Sequence, residues 1–260
     1  MNGGSFEAMR LESRDGVARL VLERPPVNAI DSAWLDSFHR VLDALGARDD
    51  WQVLHLRSAL PTFCAGADLG EMRSRFVAPG GIDDMVAAAA AMQRLFARLE
   101  ALPQVTLAEI GGAALGGGFE LALACDLRVA AEDARIGLPE ARLGLVPGAG
   151  GTQRLTRLAG RALAARLILQ GEVLQGAAAA ALGLVQWAVP QAGLSARAAD
   201  IAAQVAALPP EALRACKSCI AAAGDPARDG FAEELQASRR LYASEATRRR
   251  VAAFLERRQI

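Results

Sequence analysis

Glu120 is the carboxylate whose setting most calls for a chemical reason. It lies in Leu115-Gly-Gly-Gly-Phe-Glu-Leu-Ala-Leu-Ala-Cys-Asp126, where three consecutive glycines lead into an apolar helix. A carboxylate buried unpaired in such a helix is costly. Glycines let a ligand approach the main chain. A helix start offers unpaired N–H groups and partial positive charge. Together they suit an oxygen carrying negative charge, either a phosphate or a developing oxyanion. A second small-residue loop, Ala65-Gly66-Ala67 before Asp68-Leu69, can aim the Ala67 N–H at the same oxygen as that of Gly117. A second acid, Glu140, follows Pro139 in a long Gly- and Pro-rich segment that enters a helix, and such ordered loops often carry function.

Each feature also has a plainer reading. The glycines allow tight helix–strand packing, and Glu120 can be a paired structural acid. Glu140 can pair with Arg135 or Arg142. Asp68, three residues before Glu71, reads first as a helix cap. A dinucleotide-binding loop is a poor fit: it needs G-x-G-x-x-G, and the sixth position from Gly116 is Leu121.

The surrounding elements follow from local pattern. Met9–Leu22 is a hairpin turning at Asp15-Gly16. Two prolines keep Glu23–Ile30 extended. Asp31 or Ser32 caps a helix to about Gly46. Val53–Leu56, Val105–Ile110 and Leu127–Ala131 read as strands. Residues 73–83, with Pro79-Gly80-Gly81, read as a mobile segment suited to a lid. A helix runs from Asp84 to Leu102, ended by Pro103. From Arg161 the pattern is helical and alanine-rich, except for a short strand within Gly183–Pro190. Residues 1–190 are therefore expected to form the core carrying the site, and 191–260 a helical region.

Composition narrows the classes. Of 260 residues, 52% are hydrophobic, ample for a deep core, and the formal net charge is zero, which argues against general nucleic-acid affinity. The four cysteines are scattered; Cys216-Lys-Ser-Cys219 has redox spacing but sits in a helical pattern with no strand before it. His39 and His55 are isolated, so no metal cluster is expected. No signal peptide and no membrane-spanning run is visible, and a cytoplasmic protein is expected. The arginines at 239–240, 248–250 and 257–258 read as a solvated helix face balanced by nearby glutamates, or less readily as contacts to ligand phosphates.

Phe63–Leu69, Ala114–Ala122 and Pro139–Leu155, in that order and with the two glutamates 20 positions apart, resemble the crotonase superfamily, and in particular its enoyl-CoA hydratase branch. The resemblance extends from about residue 8 to 258. It implies an α/β fold, a spiral of β-β-α units with a C-terminal helical trimerisation region. It also implies an acyl-CoA thioester substrate, an oxyanion hole from the N–H groups of Ala67 and Gly117, and catalysis by Glu120 and Glu140. Ala65, Gly66, Asp68, Leu69, Gly116, Pro139 and Gly148 would contact substrate. No metal or other cofactor is implied, since CoA arrives with the substrate, and the assembly would be a homotrimer or a dimer of trimers. Pocket walls are expected from residues 71–95 and the C-terminal helices.

This sequence departs from the family pattern at two places. Gly70 stands where a lysine is common, and the last helix reads Ala246-Thr-Arg-Arg-Arg-Val-Ala-Ala-Phe254 instead of Asp-x-x-Glu-Gly-x-x-Ala-Phe. Both leave the acyl preference and the CoA phosphate contacts open. Two alternative functions stand beside hydration: double-bond isomerisation, and a non-catalytic acyl-CoA- or RNA-binding scaffold.

Overall fold

The computed structural model describes residues 4–257. Among the described residues there are ten strands: β1 (Gly4–Phe6), β2 (Met9–Arg14), β3 (Val17–Leu22), β4 (Val53–Ser58), β5 (Val105–Ile110), β6 (Ala114–Leu115), β7 (Leu127–Ala131), β8 (Arg135–Gly137), β9 (Val173–Gln175) and β10 (Trp187–Val189). Seven helices are interleaved with them or follow directly: α1 (Ser32–Gly46), α2 (Leu69–Val77), α3 (Gly81–Glu100), α4 (Gly117–Leu123), α5 (Gly151–Leu169), α6 (Gly176–Ala181) and α7 (Leu194–Ala206). These elements make one compact unit, which ends at Ala207. A second unit begins at Leu208 and contains α8 (Pro210–Ala222), α9 (Gly230–Ala243) and α10 (Glu245–Arg257).

The main sheet has the order β1-β2-β3-β4-β5-β7-β10, antiparallel as far as β3 and parallel from there on. A small sheet, β6-β8-β9, stands apart from it. Parallel strands buried on both faces read as continuous apolar runs, and Leu107, Ala108, Ile110, Val129 and Ala130 are all fully buried. The hairpin turns at Asp15 and Gly16, both left-handed. Asp31 caps α1 by accepting from the Trp34 N–H.

Residues 73–83, read above as a mobile segment suited to a lid, have regular structure. They are helical, the end of α2 and the start of α3, joined by the turn Ala78–Gly80. Strand β9 was not expected; three residues are too short to show alternation in an alanine-rich stretch.

The core holds α4 at both ends. At its C-terminal end the buried Arg128 guanidinium donates to the carbonyls of Ala122, Cys125 and Leu184. At its start Gly118 lies against Cys64, where a Cβ would be 1.9 Å from the Cys64 carbonyl oxygen. The atoms in the way are the Cys64 carbonyl and its Cβ, neither the far end of a flexible side chain. Gly118→Ala is expected to cost on the order of 3 kcal/mol, read as a lower denaturant midpoint. Gly46→Ala, with nothing within 4 Å of the new methyl, serves as the control and is expected to leave the midpoint nearly unchanged.

His55 on β4 shares a 2.8 Å hydrogen bond with Glu109 on β5, and Ser195 on α7 donates to the same carboxylate at 2.7 Å. This buried group ties the three elements together on the strand that leads into the glycine loop. Among the described residues no group of His, Cys, Asp or Glu could hold a metal ion, and no helix is long and apolar enough to cross a membrane. None of the four cysteines forms a disulfide among the described residues. In the second unit Arg249 pairs with Glu245 at 2.7 Å; Arg258 lies outside the described residues.

Candidate active site

Three stretches of main chain lie side by side at the site. The Cys64 N–H donates to the Ala113 carbonyl and the Leu115 N–H to the Cys64 carbonyl. On the other side the Ala65 N–H donates to Val27, the Ile30 N–H to Gly66, and the Asp68 N–H to Ile30. Asn28, buried and left-handed at φ 52°, fixes that outer stretch; its amide donates to Ser58 Oγ and to the Thr62 and Phe63 carbonyls. Gly66 takes φ +95°, and a Cβ on it would stand 2.8 Å from the Leu115 oxygen and 3.0 Å from the Gly117 nitrogen. Only glycine fits there.

Two N–H groups are left over. Neither Ala67 nor Gly117 donates to a protein acceptor among the described residues. They are close together, since a Cβ on Gly117 would be 3.5 Å from the Ala67 nitrogen. Both line one cavity of about 480 Å³, a size typical of ligand sites. A pair of converging, unspent main-chain donors is the arrangement that stabilises an oxyanion.

Both acids reach the same cavity. Glu120 comes from the first turn of α4 and is 2% exposed. Its Oε1 accepts from the N–H groups of Ala149, at 2.8 Å, and Gly151, at 2.7 Å. Glu120 therefore ends up at the start of α5, where unpaired N–H groups favour a carboxylate. Both donors use Oε1, and no hydrogen bond to Oε2 is found among the described residues. Glu140 is carried by a short 3₁₀ helix, Pro139–Leu143, and its buried Oε2 has no partner. It faces the glycine loop, with a Cβ on Gly116 only 3.1 Å from its Oε1. The plainer reading, a pair with Arg135 or Arg142, is not what the structure contains.

Burial raises the proton affinity of both acids. Glu120 is pushed up to about 7, chiefly by burial and further by the nearby Glu140, against the pull of its two N–H partners. Glu140 is raised by burial as well. Because the two carboxyl groups lie near one another, their titration belongs to the pair.

The raised Glu120 also makes a stability prediction. From pH 4.5 to about 7 the unfolded chain loses this proton while the folded one keeps it. Stability therefore falls across that window and stays lower above it. Glu120→Gln removes the penalty while keeping an oxygen for the two N–H donors. It is expected to stabilise the protein by roughly 3 kcal/mol at pH 8 and little at pH 4.5. A melting-temperature gain equal at both pH values would contradict this.

Ala65, Gly66, Asp68, Leu69, Gly116, Pro139 and Gly148 all line the cavity. Asp68 caps α2 through the Gly70 and Glu71 N–H groups. Arg24 joins that cap to the cap of α1, donating to Asp68 at 3.0 Å and to Asp31 at 2.5 Å, and the Asp68 carboxyl is lowered chiefly by the Glu71 N–H. Gly148 is held against α3 by Gln93, whose amide donates to its carbonyl at 2.6 Å. The described lining runs from residue 30 to 148 and lies wholly within the first unit.

Sequence reasoning missed Arg24 and Asn28, which brace the loop, and the Ala149 and Gly151 donors. An Asn two residues after Pro25-Pro26 is a turn signal; nothing local links Ala149 to Glu120.

Comparison with known proteins gives the family. The family model described as Enoyl-CoA hydratase/isomerase matches residues 12–260. The chain is 37% identical over 257 residues to a probable enoyl-CoA hydratase of Bacillus subtilis (strain 168), covering 98% of each. It is 37% identical over 244 residues to the 2,3-dehydroadipyl-CoA hydratase of Escherichia coli (strain K12), covering 93% of each. Among solved structures, an enoyl-CoA hydratase from Bacillus anthracis superposes with a TM-score of 0.89 at 33% identity, over 96% of both chains. The chain belongs to the enoyl-CoA hydratase/isomerase family and has the crotonase fold.

Proposed function

We propose that this protein adds water across the 2,3 double bond of a 2-enoyl-CoA thioester, giving a 3-hydroxyacyl-CoA. The observation that carries the reading is the pair of carboxyl groups, raised by burial, facing one cavity beside two unspent main-chain N–H donors. The thioester oxygen accepts from Ala67 and Gly117. Water held between the acids attacks Cβ and forms the new C–O bond. The Cα–Cβ π pair moves toward the carbonyl as an enolate, which the two N–H groups stabilise. Glu120, fixed through Oε1, takes with Oε2 the proton that water loses. Glu140 delivers a proton to Cα, and transfer of the proton that Glu120 took from water back to Glu140 resets the pair. The step balances with substrate, water and the two carboxyl groups alone, so no metal or further cofactor enters the proposal.

Retention of both acids favours hydration over isomerisation, which moves a proton between two carbons and needs only one acid–base group. A homotrimer or dimer of trimers goes with this reading; the exposed Phe231, Leu235 and Tyr242 on α9 suit a covered helical face. The test is loss of the conjugated thioester absorbance with crotonyl-CoA and longer 2-enoyl-CoA esters. Loss with 3-hydroxyacyl-CoA appearing supports the reading. Conversion to a 3-enoyl-CoA, or no turnover of any ester, would overturn it.

A further inference from the structure

The cavity beyond the acids bears on which acyl group it takes, an inference that rests on the acyl-CoA reading above. Met72, Phe76, Ile82, Met85, Val86 and Met92 form its α2–α3 wall. Leu143 and Val146 also line it. Phe76, Ile82, Val86, Leu143 and Val146 are each more than 60% exposed. An apolar cavity thus runs out into an apolar rim, the kind of exposed patch that marks a binding surface. Three of the chain's five methionines lie in that one wall, and methionine adapts its shape to different contacts.

The charges around the cavity point the same way. Five carboxyl groups line it: Asp31, Asp68, Glu71, Glu120 and Glu140. Among the described lining residues Arg75 is the one cation. Arg75 already pairs with Glu71 at 2.6 Å, and its same nitrogen reaches Ser32 Oγ at 3.3 Å. Asp31 and Asp68 share the single Arg24, which leaves that trio with a negative excess. A second carboxylate on the acyl chain would meet apolar side chains and like charge, with its natural partner already neutralised.

We infer that the acyl group is an uncharged hydrocarbon chain longer than crotonyl, and that the site selects against acyl chains ending in a carboxylate. Methylenes beyond the fourth carbon are buried against the methionine wall and then the rim. Each is expected to raise kcat/KM by ~4-fold while the wall lasts. A terminal carboxylate at the same chain length is expected to lower it by roughly 10²-fold.

The test compares 2-butenoyl-, 2-hexenoyl-, 2-octenoyl- and 2-hexenedioyl-CoA for turnover, and hexanoyl- against adipyl-CoA for binding by calorimetry. The two six-carbon pairs differ only in a terminal methyl or carboxylate. The inference predicts a rise from four to eight carbons, and hexanoyl-CoA binding far more tightly than adipyl-CoA. Glu71→Gln, which frees Arg75, is expected to narrow that binding gap about tenfold, whereas Arg75→Gln is expected not to narrow it. The binding order without turnover would uphold this inference and overturn the hydratase reading. Adipyl-CoA binding as tightly as hexanoyl-CoA, crotonyl as the best substrate, or Arg75→Gln selectively weakening adipyl-CoA would overturn this inference and leave hydration standing.

Discussion

Glu140→Gln is expected to lower kcat for hydration by about 10²–10⁴-fold, the range for loss of a positioned acid–base group, while acyl-CoA affinity stays nearly unchanged. The argument is geometric. Glu140 Oε2 is buried and unpartnered in the protein, so it braces nothing that the amide would release. Its Oε1 stands close to Gly116 at the mouth of the proposed hole, where the Cα of a bound thioester would lie. Glutamine keeps the shape and cannot deliver a proton. A fold-wide effect would lower the melting temperature together with the rate; the account predicts a rate loss with an intact melt. Near-normal hydration by this variant would remove Glu140 from the mechanism.

Ala67→Pro is the second large effect expected, a loss of about 10²–10³ in kcat, as for other deletions of one oxyanion donor. Proline removes an N–H that serves no protein acceptor, while the neighbouring bonds, Ile30 to Gly66 and Asp68 to Ile30, do not use it. The ladder that holds the loop is therefore kept. Replacing the Ala67 side chain would not test the donor, since it belongs to the main chain. Full activity in a folded Ala67→Pro protein would mean that the carbonyl binds elsewhere.

The parts of this site legible in the sequence are those written in short spacings. Three glycines before Glu120, the small-residue loop before Asp68, and the Pro-Glu of residues 139–140 each carry a local conformational requirement, and the structure brings all three to one cavity. The caps at Asp31 and Asp68 were legible for the same reason. What was not legible is what only the folded chain brings together. Ala149 and Gly151 reach Glu120 from about thirty residues away, and Arg24 ties two helix caps 37 positions apart. Pro79-Gly80-Gly81 marks a tight turn between α2 and α3, whose side chains form the cavity wall. Local sequence reports where a helix breaks; packing on the far side decides whether the break moves.

The most direct test of the two-acid account is isotopic. Hydration of a 2-enoyl-CoA in ¹⁸O-labelled heavy water is expected to give a 3-hydroxyacyl-CoA with the solvent oxygen on Cβ and one solvent hydrogen on Cα, and Glu140→Gln is expected to form that product only at its residual rate. A product with solvent hydrogen but no solvent oxygen, its double bond moved along the chain, would contradict the account and make the same cavity an isomerase.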